Sequence, residues 1–536
     1  MDSKNTTKIG LFQLVMLTLG SLIGSGWLFG SWEATKIAGP AAIISWVIGG
    51  VVIAAIAYDY VEIGAMFPEA GGMSRYAQYS HGPLLGFIAS WANWISLITL
   101  IPIEAVAAVQ YMSSWPWSWA NWTHAFLKNG AITTSGLMVV FVFILVFTLL
   151  NFWSVKLLTS FTSLISILKI GVPALTIIML TVSGFYPQNY GHSVHEFMPY
   201  GSAPIFAATS AAGIIFSFNA FQTVINMGSE IKKSRKNIGR GIFISLLISG
   251  IIYILLQSTY ITSMKPSTLA STGWSGFDFN SPFADLAIML GIRWLSVLLY
   301  MDAFVSPVGT GVSFAASTGR ALYAMESNQH IPSFIGKINQ KYGIPRVAMI
   351  VNLVLSMLMV SVFRSWSTLA TVISTSTLIA YLTGPVTAVA FRKLAPNFKR
   401  PVKLKNLGWM APLSFVLASL AICWAMWPTT VEVILVILIG LPFYFYYEYR
   451  AGYVDTRKAF YSSMWMIIYL IFISIMSYIG SAEFNGINWI HYPWDFVVIA
   501  LASLAFYYWG IKTAHVFPDF YQAKKLNDTV KMNDDD

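Results

Sequence analysis

Cysteine is almost missing from this chain: Cys423 is the sole one in 536 residues. An intrachain disulfide and a cysteine-based metal cluster are both excluded. Charge is scarce as well. Asp, Glu, Lys and Arg supply 10% of the residues, against about 25% in a soluble globular protein. That deficit rules out a cytosolic multidomain enzyme and an intrinsically disordered chain, both of which need polar surface. The sequence also lacks G-x-S-x-G, H-E-x-x-H and a Walker-type phosphate loop, so hydrolytic or ATP-driven chemistry has no support in it. His192 and His195 have the spacing of a metal pair, but no third ligand stands near them. Neither a metal nor a cofactor is expected.

What is present is apolar. Hydrophobic residues make up 56% of the chain, and mean hydropathy is +0.66. About 20 apolar residues cross a hydrocarbon core of roughly 30 Å as a helix. Fourteen such runs occur, at 11–38, 41–64, 83–113, 131–151, 157–184, 203–229, 240–262, 286–322, 346–363, 367–391, 409–427, 430–448, 460–480 and 493–511. The first is too long and too glycine-interrupted for the core of a signal peptide. The expectation is an all-α integral membrane protein.

The formal charge of +10 acquires meaning from its placement. With the N-terminus inside, 26 of the 32 Lys and Arg residues fall inside, five outside (Lys36, Lys128, Lys265, Arg293, Arg364), and Lys169 lies within a span. Short basic loops are retained on the cytoplasmic side. The basic stretches Lys232–Lys236 and Arg392–Lys405 therefore read as cytoplasmic loops, and no nucleic-acid partner is implied. An even number of spans returns the tail Asp534–Asp536 to the cytoplasm as a solvated end. A multi-pass protein of the cell membrane with both termini cytoplasmic is expected.

Irregular backbone at membrane depth is tolerated only where it lines a cavity. Gly20-Ser21-Leu22-Ile23-Gly24-Ser25-Gly26 places three glycines and two serines in the middle of the first run, and each glycine costs a helix about 1 kcal/mol relative to alanine. Unwinding there exposes amide donors and aims the positive end of a half-helix beginning near Trp27 at the gap, a site for a carboxylate. The same residues also fit close helix packing through Gly20-x-x-x-Gly24. The sixth run has small and polar residues at its centre, from Gly213 to Gln222. Breaks in helices 1 and 6, five apart, fit two inverted five-helix repeats with a binding site between them. That divides the chain into a cytoplasmic N-terminus (1–10), a core of two repeats (11–184 and 203–391), four additional helices (409–511) and a cytoplasmic tail (512–536).

The glycine run, Phe67-Pro68-Glu69-Ala70-Gly71-Gly72, Gly82-Pro83-Leu84-Leu85-Gly86-Phe87 with Trp91, Asn151–Lys156, Gly228-Ser229-Glu230 and Arg320–Met325 together resemble the amino acid–polyamine–organocation superfamily of permeases across the first ten helices. The whole chain looks closest to the bacterial aspartate–proton symporter type. Ser234 and Gly239 stand where that family usually has prolines, and Gln222 where many relatives have a carboxylate. The resemblance implies that Ser25 and the Gly26 amide hold the substrate carboxylate. It implies also that the carbonyls of Leu22, Phe216 and Asn219 face the α-ammonium group, and that Phe216 and Phe218 close over the ligand. For Phe218, simple packing is the alternative.

Glu104, Lys169 and Asp302 lie well inside spans, where an isolated charge costs several kcal/mol. Lys169 is too deep to snorkel, and desolvation suits it to taking up and releasing a proton. The resemblance adds that a helix 5 lysine replaces a bound ion, touching helix 1 carbonyls and helix 8 hydroxyls. Coupling to protons rather than sodium follows, with a structural ion pair to Asp302 as the alternative. Asp302, Ser306, Thr310, Ser313 and Ser317 share one helical face, which is expected to line something wet. Glu104 is open to three roles: a second proton site, a contact to the substrate side chain, or a helix–helix hydrogen bond. Glu62 and Glu69 are placed at or beyond a helix end, where charge costs little.

The reading is a secondary transporter importing an amino acid, aspartate or another acidic one by resemblance, together with a proton. Glu104 and Asp302 without a deep arginine argue for a neutral or cationic side chain instead. The alternatives are an exchanger without net proton coupling, a transporter-like sensor and an intramembrane enzyme. The four C-terminal helices are open to two roles, dimerisation or support.

Overall fold

The computed structural model describes residues 9–67, 72–153, 155–219, 221–226, 231–328, 330–339, 344–398, 400–450 and 456–521. Glu69, the Gly228–Glu230 motif and the tail Asp534–Asp536 lie outside the described residues. The chain opens with α1 (Leu11–Leu22), α2 (Gly26–Ala38), α3 (Ala42–Met66), a short α4 (Gly72–His81) and α5 (Pro83–Met112). A small hairpin, β1 (Leu127–Lys128) against β2 (Ala131–Ile132), precedes α6 (Thr134–Trp153) and α7 (Val155–Ser183). After α8 (Val194–Phe197) come three short pieces, α9 (Ala203–Ala211), α10 (Ile214–Ser217) and α11 (Phe221–Asn226). Then follow α12 (Ser234–Ser263), α13 (Pro266–Thr272), α14 (Pro282–Met289), α15 (Arg293–Ser327), α16 (Arg346–Val362), α17 (Trp366–Tyr381) and α18 (Thr383–Leu394). The rest is α19 (Leu407–Cys423), α20 (Thr429–Leu438), α21 (Leu441–Arg450), α22 (Thr456–Ile479) and α23 (Trp494–Thr513).

The protein is thus predominantly helical. Nine helical stretches among the described residues are long and apolar enough to cross a membrane, and four shorter apolar helices accompany them. These features make it a multi-pass membrane protein. At about 1.5 Å per residue, the 30 residues of α5 reach roughly 45 Å. All of α5 but Pro83 and Trp91 is buried, because α15, α17 and α4 pack around it. A helix apolar on every side belongs in such a centre.

Three of the expected runs, 286–322, 367–391 and 430–448, are each divided between two helices, the first with the widest gap. The run 286–322 is not a single helix, because α14 ends at Met289 and α15 begins only at Arg293. Gly291 takes φ +81°, and the Ile292 amide donates back to the Ala287 carbonyl at 2.8 Å. Glycine in the left-handed region with such a return bond is a helix terminator, which hydropathy does not register.

Two further corrections concern charge. Glu62 is not at a tolerant helix end: it is 1% exposed, accepting from Arg392 Nη2 at 2.6 Å and Nε at 3.0 Å, and from the Leu404 amide at 2.9 Å. Arg400 Nε stands 3.3 Å away. Asp59 is also buried, in α3, and Ser414 of α19 donates to it. The count of three ionisable residues inside spans omitted it, although it lies within the run 41–64.

Candidate functional site

The first span breaks between α1 and α2. Ile23 has φ −86° and ψ 84°, which turns the chain out of the helix, and the Gly24 amide folds back onto the Leu22 carbonyl at 3.1 Å. Ser25 then caps α2. The sixth span breaks twice. Gly213 takes φ +76° before α10, and the helix stops again after Ser217, with Phe218 and Asn219 donating back to the carbonyls of Ile214 and Phe216 at 3.3 and 3.0 Å.

The two breaks face each other. A Cβ on Gly26 would overlap Ser217 Oγ and stand 3.3 Å from Phe216 Cε1. One hydroxyl spans the gap: Tyr253 Oη on α12 lies 2.9 Å from the Leu22 carbonyl and 3.2 Å from the Ser217 carbonyl. A hydroxyl carries a single hydrogen, so it serves one carbonyl at a time or is shared between the two.

Ser25 is fully buried, and both of its polar groups are engaged. Its amide donates to Glu104 at 3.0 Å (Oε2) and 3.2 Å (Oε1). Its Oγ accepts from Trp366 Nε1 at 2.9 Å. A carboxylate of α5 thus rests on the donor end of α2, as expected of a negative group at a helix N-terminus. Gly24 makes room for it, since a Cβ there would stand 2.6 Å from Glu104 Oε1.

Lys169 of α7 lies beside this break, 2% exposed. Its ammonium donates to the Gly20 carbonyl at 2.8 Å and to Thr310 Oγ1 of α15 at 2.5 Å. Both partners are neutral oxygens. Asp302, two turns along α15 from Thr310, accepts instead from Ser306 Oγ at 3.0 Å. Its other oxygen is buried without a hydrogen-bond partner among the described residues. The polar stripe of α15 divides: Asp302, Ser306 and Thr310 are buried, Ser313 is half-buried and Ser317 exposed. The last two donate to carbonyls four residues back, so their polarity is satisfied within the helix.

Of the aromatic residues, Phe216 stands edge-on to Trp366 with ring centres 5.9 Å apart, next to Ser25 and Gly26. Phe218 turns the other way, against Tyr253 (5.4 Å) and Trp46 (6.0 Å). The side chain of Asn219 ties the second break to α5 and α17. Its Nδ2 donates to Thr377 Oγ1 at 2.7 Å and Ser96 Oγ at 3.3 Å, and Tyr381 Oη donates to its Oδ1 at 2.6 Å.

Leu22, Ser25, Gly26, Phe216, Glu104 and Lys169 are therefore gathered around one junction. Phe218 flanks it, Asn219 anchors it, and Asp302 sits farther along α15. Sequence reasoning missed Tyr253, Trp366 and Thr377. Trp366 touches the break at Gly213 as well, since a Cβ on Gly213 would lie 2.9 Å from its Cη2. In a chain with 20 Trp and 26 Tyr, no local signal distinguishes the ones that reach a break.

Among similar proteins, the glutamate/serine transporter AimA of Bacillus subtilis (strain 168) is 50% identical over 98% of this chain and 96% of its own length. The aspartate-proton symporter of the same organism is 34% identical over 94% of this chain and 95% of its own, and the branched-chain amino acid permease BcaP is 24% identical over 82% of this chain and 93% of its own. These relatives are all transporters, and the chain is not an enzyme. A family model described as amino acid permease matches residues 9–447, and with that match across most of its length the chain belongs to the amino acid permease family.

Proposed function

We propose that the protein imports an amino acid together with a proton across the cell membrane, with both termini cytoplasmic. In this reading the chain crosses fourteen times: spans 1–5 (11–184) and 6–10 (203–391) are inverted repeats, and four further spans follow (409–511). The substrate's α-carboxylate takes the Ser25 and Gly26 amides at the start of α2. Its ammonium group takes carbonyls of Leu22, Phe216 and Asn219, and Phe216 covers it, with Phe218 behind. Glu104 already occupies the Ser25 amide, so substrate binding displaces that carboxylate or follows its protonation.

The observation that carries the reading is the seat of Lys169. Its ammonium bridges the last turn of α1 and α15 through two neutral oxygens. A positive charge held there excludes sodium by repulsion, and the lysine amine is the group that takes up and releases the proton. Asp302, on the same helix as Thr310 and with one oxygen that has no hydrogen-bond partner among the described residues, is the second group of the proton path. Relatives named for glutamate, serine and aspartate support a small acidic or hydroxylated substrate.

Uptake into proteoliposomes driven by an inward proton gradient tests the proposal, with a panel of amino acids competing against labelled glutamate and serine. Lys169→Ala is expected to abolish uphill accumulation while leaving exchange measurable. Full accumulation by that variant would remove proton coupling from the reading. Competition by cationic or large apolar amino acids alone would overturn the small acidic or hydroxylated substrate.

A further inference from the structure

The last described residues form a strap. After α23 the chain turns and crosses the C-terminal end of α4, where the His515 amide donates to the Ser80 carbonyl at 2.9 Å and the Phe517 amide to the Tyr79 carbonyl at 3.4 Å. These are the final carbonyls of α4, which have no partner within their own helix. Gln78 Nε2 donates to Asp519 Oδ2 at 2.6 Å. Ala514, Phe517 and Phe520 are buried, whereas His515, Pro518 and Tyr521 are exposed, so one side of the strap is held against the protein.

Phe517 seats over Gly82, which has φ +85°; a Cβ there would lie 2.6 Å from the ring. Phe520 inserts between three elements. Its ring lies 5.9 Å from Phe67 at the end of α3, 5.7 Å from Phe391 on α18 and 5.7 Å from Phe398 beyond it. Phe67 in turn meets Tyr79 of α4 at 5.4 Å. The strap thereby joins the ends of α3, α4 and α18 on one face of the molecule. α4 also packs on α11, the inner piece of the broken sixth span.

The geometry points to an intramolecular latch. The segment 514–521 holds the cytoplasmic pathway shut through α4 and α11, and its release limits the rate of transport. The inference rests on the transporter reading and on the orientation given above. For the pathway below the breaks to open, α11 must part from its neighbours, and α4 moves with it. An aromatic plug shared by α3, α4 and α18 has to be withdrawn first.

Two measurements on the full chain decide the matter. The first is the rate at which a maleimide labels a reporter, Gln222→Cys, on α11. Gln222 is 2% exposed, and the sole native cysteine is buried. Phe520→Ala is expected to speed labelling at least threefold and, without the reporter, to raise the initial rate of serine or glutamate exchange by a similar factor. The second is a reversible cross-link between Gln78→Cys and Asp519→Cys with a bifunctional methanethiosulfonate. The cross-linked protein should label at least tenfold more slowly and cease to transport, and reductant should restore both. Unchanged labelling in both experiments, or full transport by the cross-linked protein, would overturn the latch. If the reduced protein moves neither serine nor glutamate, the substrate reading fails, while the labelling rates still decide the latch.

Discussion

At the scale of single residues, the site is built from side chains that satisfy backbone groups set free by unwinding. Trp366 is an example: its indole N–H reaches Ser25 Oγ, and no other residue type presents one donor at the end of so large a flat surface. Trp366→Phe keeps most of the packing and removes the donor. The loss of one hydrogen bond, about 1 kcal/mol, is expected to weaken substrate binding roughly fivefold, measured by calorimetry in detergent. His330 illustrates the reverse case. It is 3% exposed, neither ring nitrogen has a partner among the described residues, and Phe87 and Tyr444 stand edge-on to it. Burial lowers its pKa from the ordinary imidazole value to about 4. The unfolded chain therefore binds a proton that the folded one refuses. His330 contributes its full stability above pH 6.5 and loses it as pH falls toward 4, an effect of up to about 3 kcal/mol. His330→Phe should flatten the fall in melting temperature over that window, and an unaltered slope would show that another group titrates there.

At the scale of elements, two conditions fix the first break of the sixth span: a glycine with positive φ, and a neighbour where its Cβ would be. Gly213 meets both conditions, with φ +76° and Trp366 and Ala370 within 3.0 Å of the missing carbon. Gly213→Ala should destabilise the protein by about 2 kcal/mol, since a side chain in that conformation costs roughly 1–2 kcal/mol before any clash. Melting temperature and substrate affinity should fall together, whereas a helix that merely lost a packing contact would change the first alone. The glycine run was legible in the sequence because glycines are costly inside a helix. Its partner was half legible: the small and polar residues from Gly213 to Gln222 marked the region. That it breaks in two places, at Gly213 and after Ser217, depends on the packing of α17 and α12 against it.

At the scale of the whole molecule, segments far apart in the chain are tied by buried polar contacts. Glu62 of α3 holds Arg392 of α18, Arg400 and the Leu404 amide leading into α19. Removing one member of a buried ion pair leaves its partners uncompensated. Glu62→Ala should cost about 3 kcal/mol, near the low end for such a pair because the Arg392 side chain is 25% exposed. Chemical unfolding in detergent measures it, and a loss below about 1 kcal/mol would mean that the pair is effectively solvated. Hydropathy placed Glu62 near the end of a run and could not register the loop 395–406 that folds over it.

Composition and hydropathy were sufficient for the class of the protein. Apolar runs of about 20 residues satisfy their backbone in lipid as helices, because a barrel would need shorter strands of alternating polarity. The glycine run and the three charges at Glu104, Lys169 and Asp302 were readable for the same reason, since each is costly in hydrocarbon. Tertiary structure alone decided who meets whom. Glu104 rests on the Ser25 amide, Lys169 chooses neutral oxygens over Asp302, and Tyr253 and Trp366 emerge from dozens of aromatic residues to close the breaks. Those pairings join residues 36 to 341 positions apart; nothing local encodes them, because they follow from which helix faces pack together.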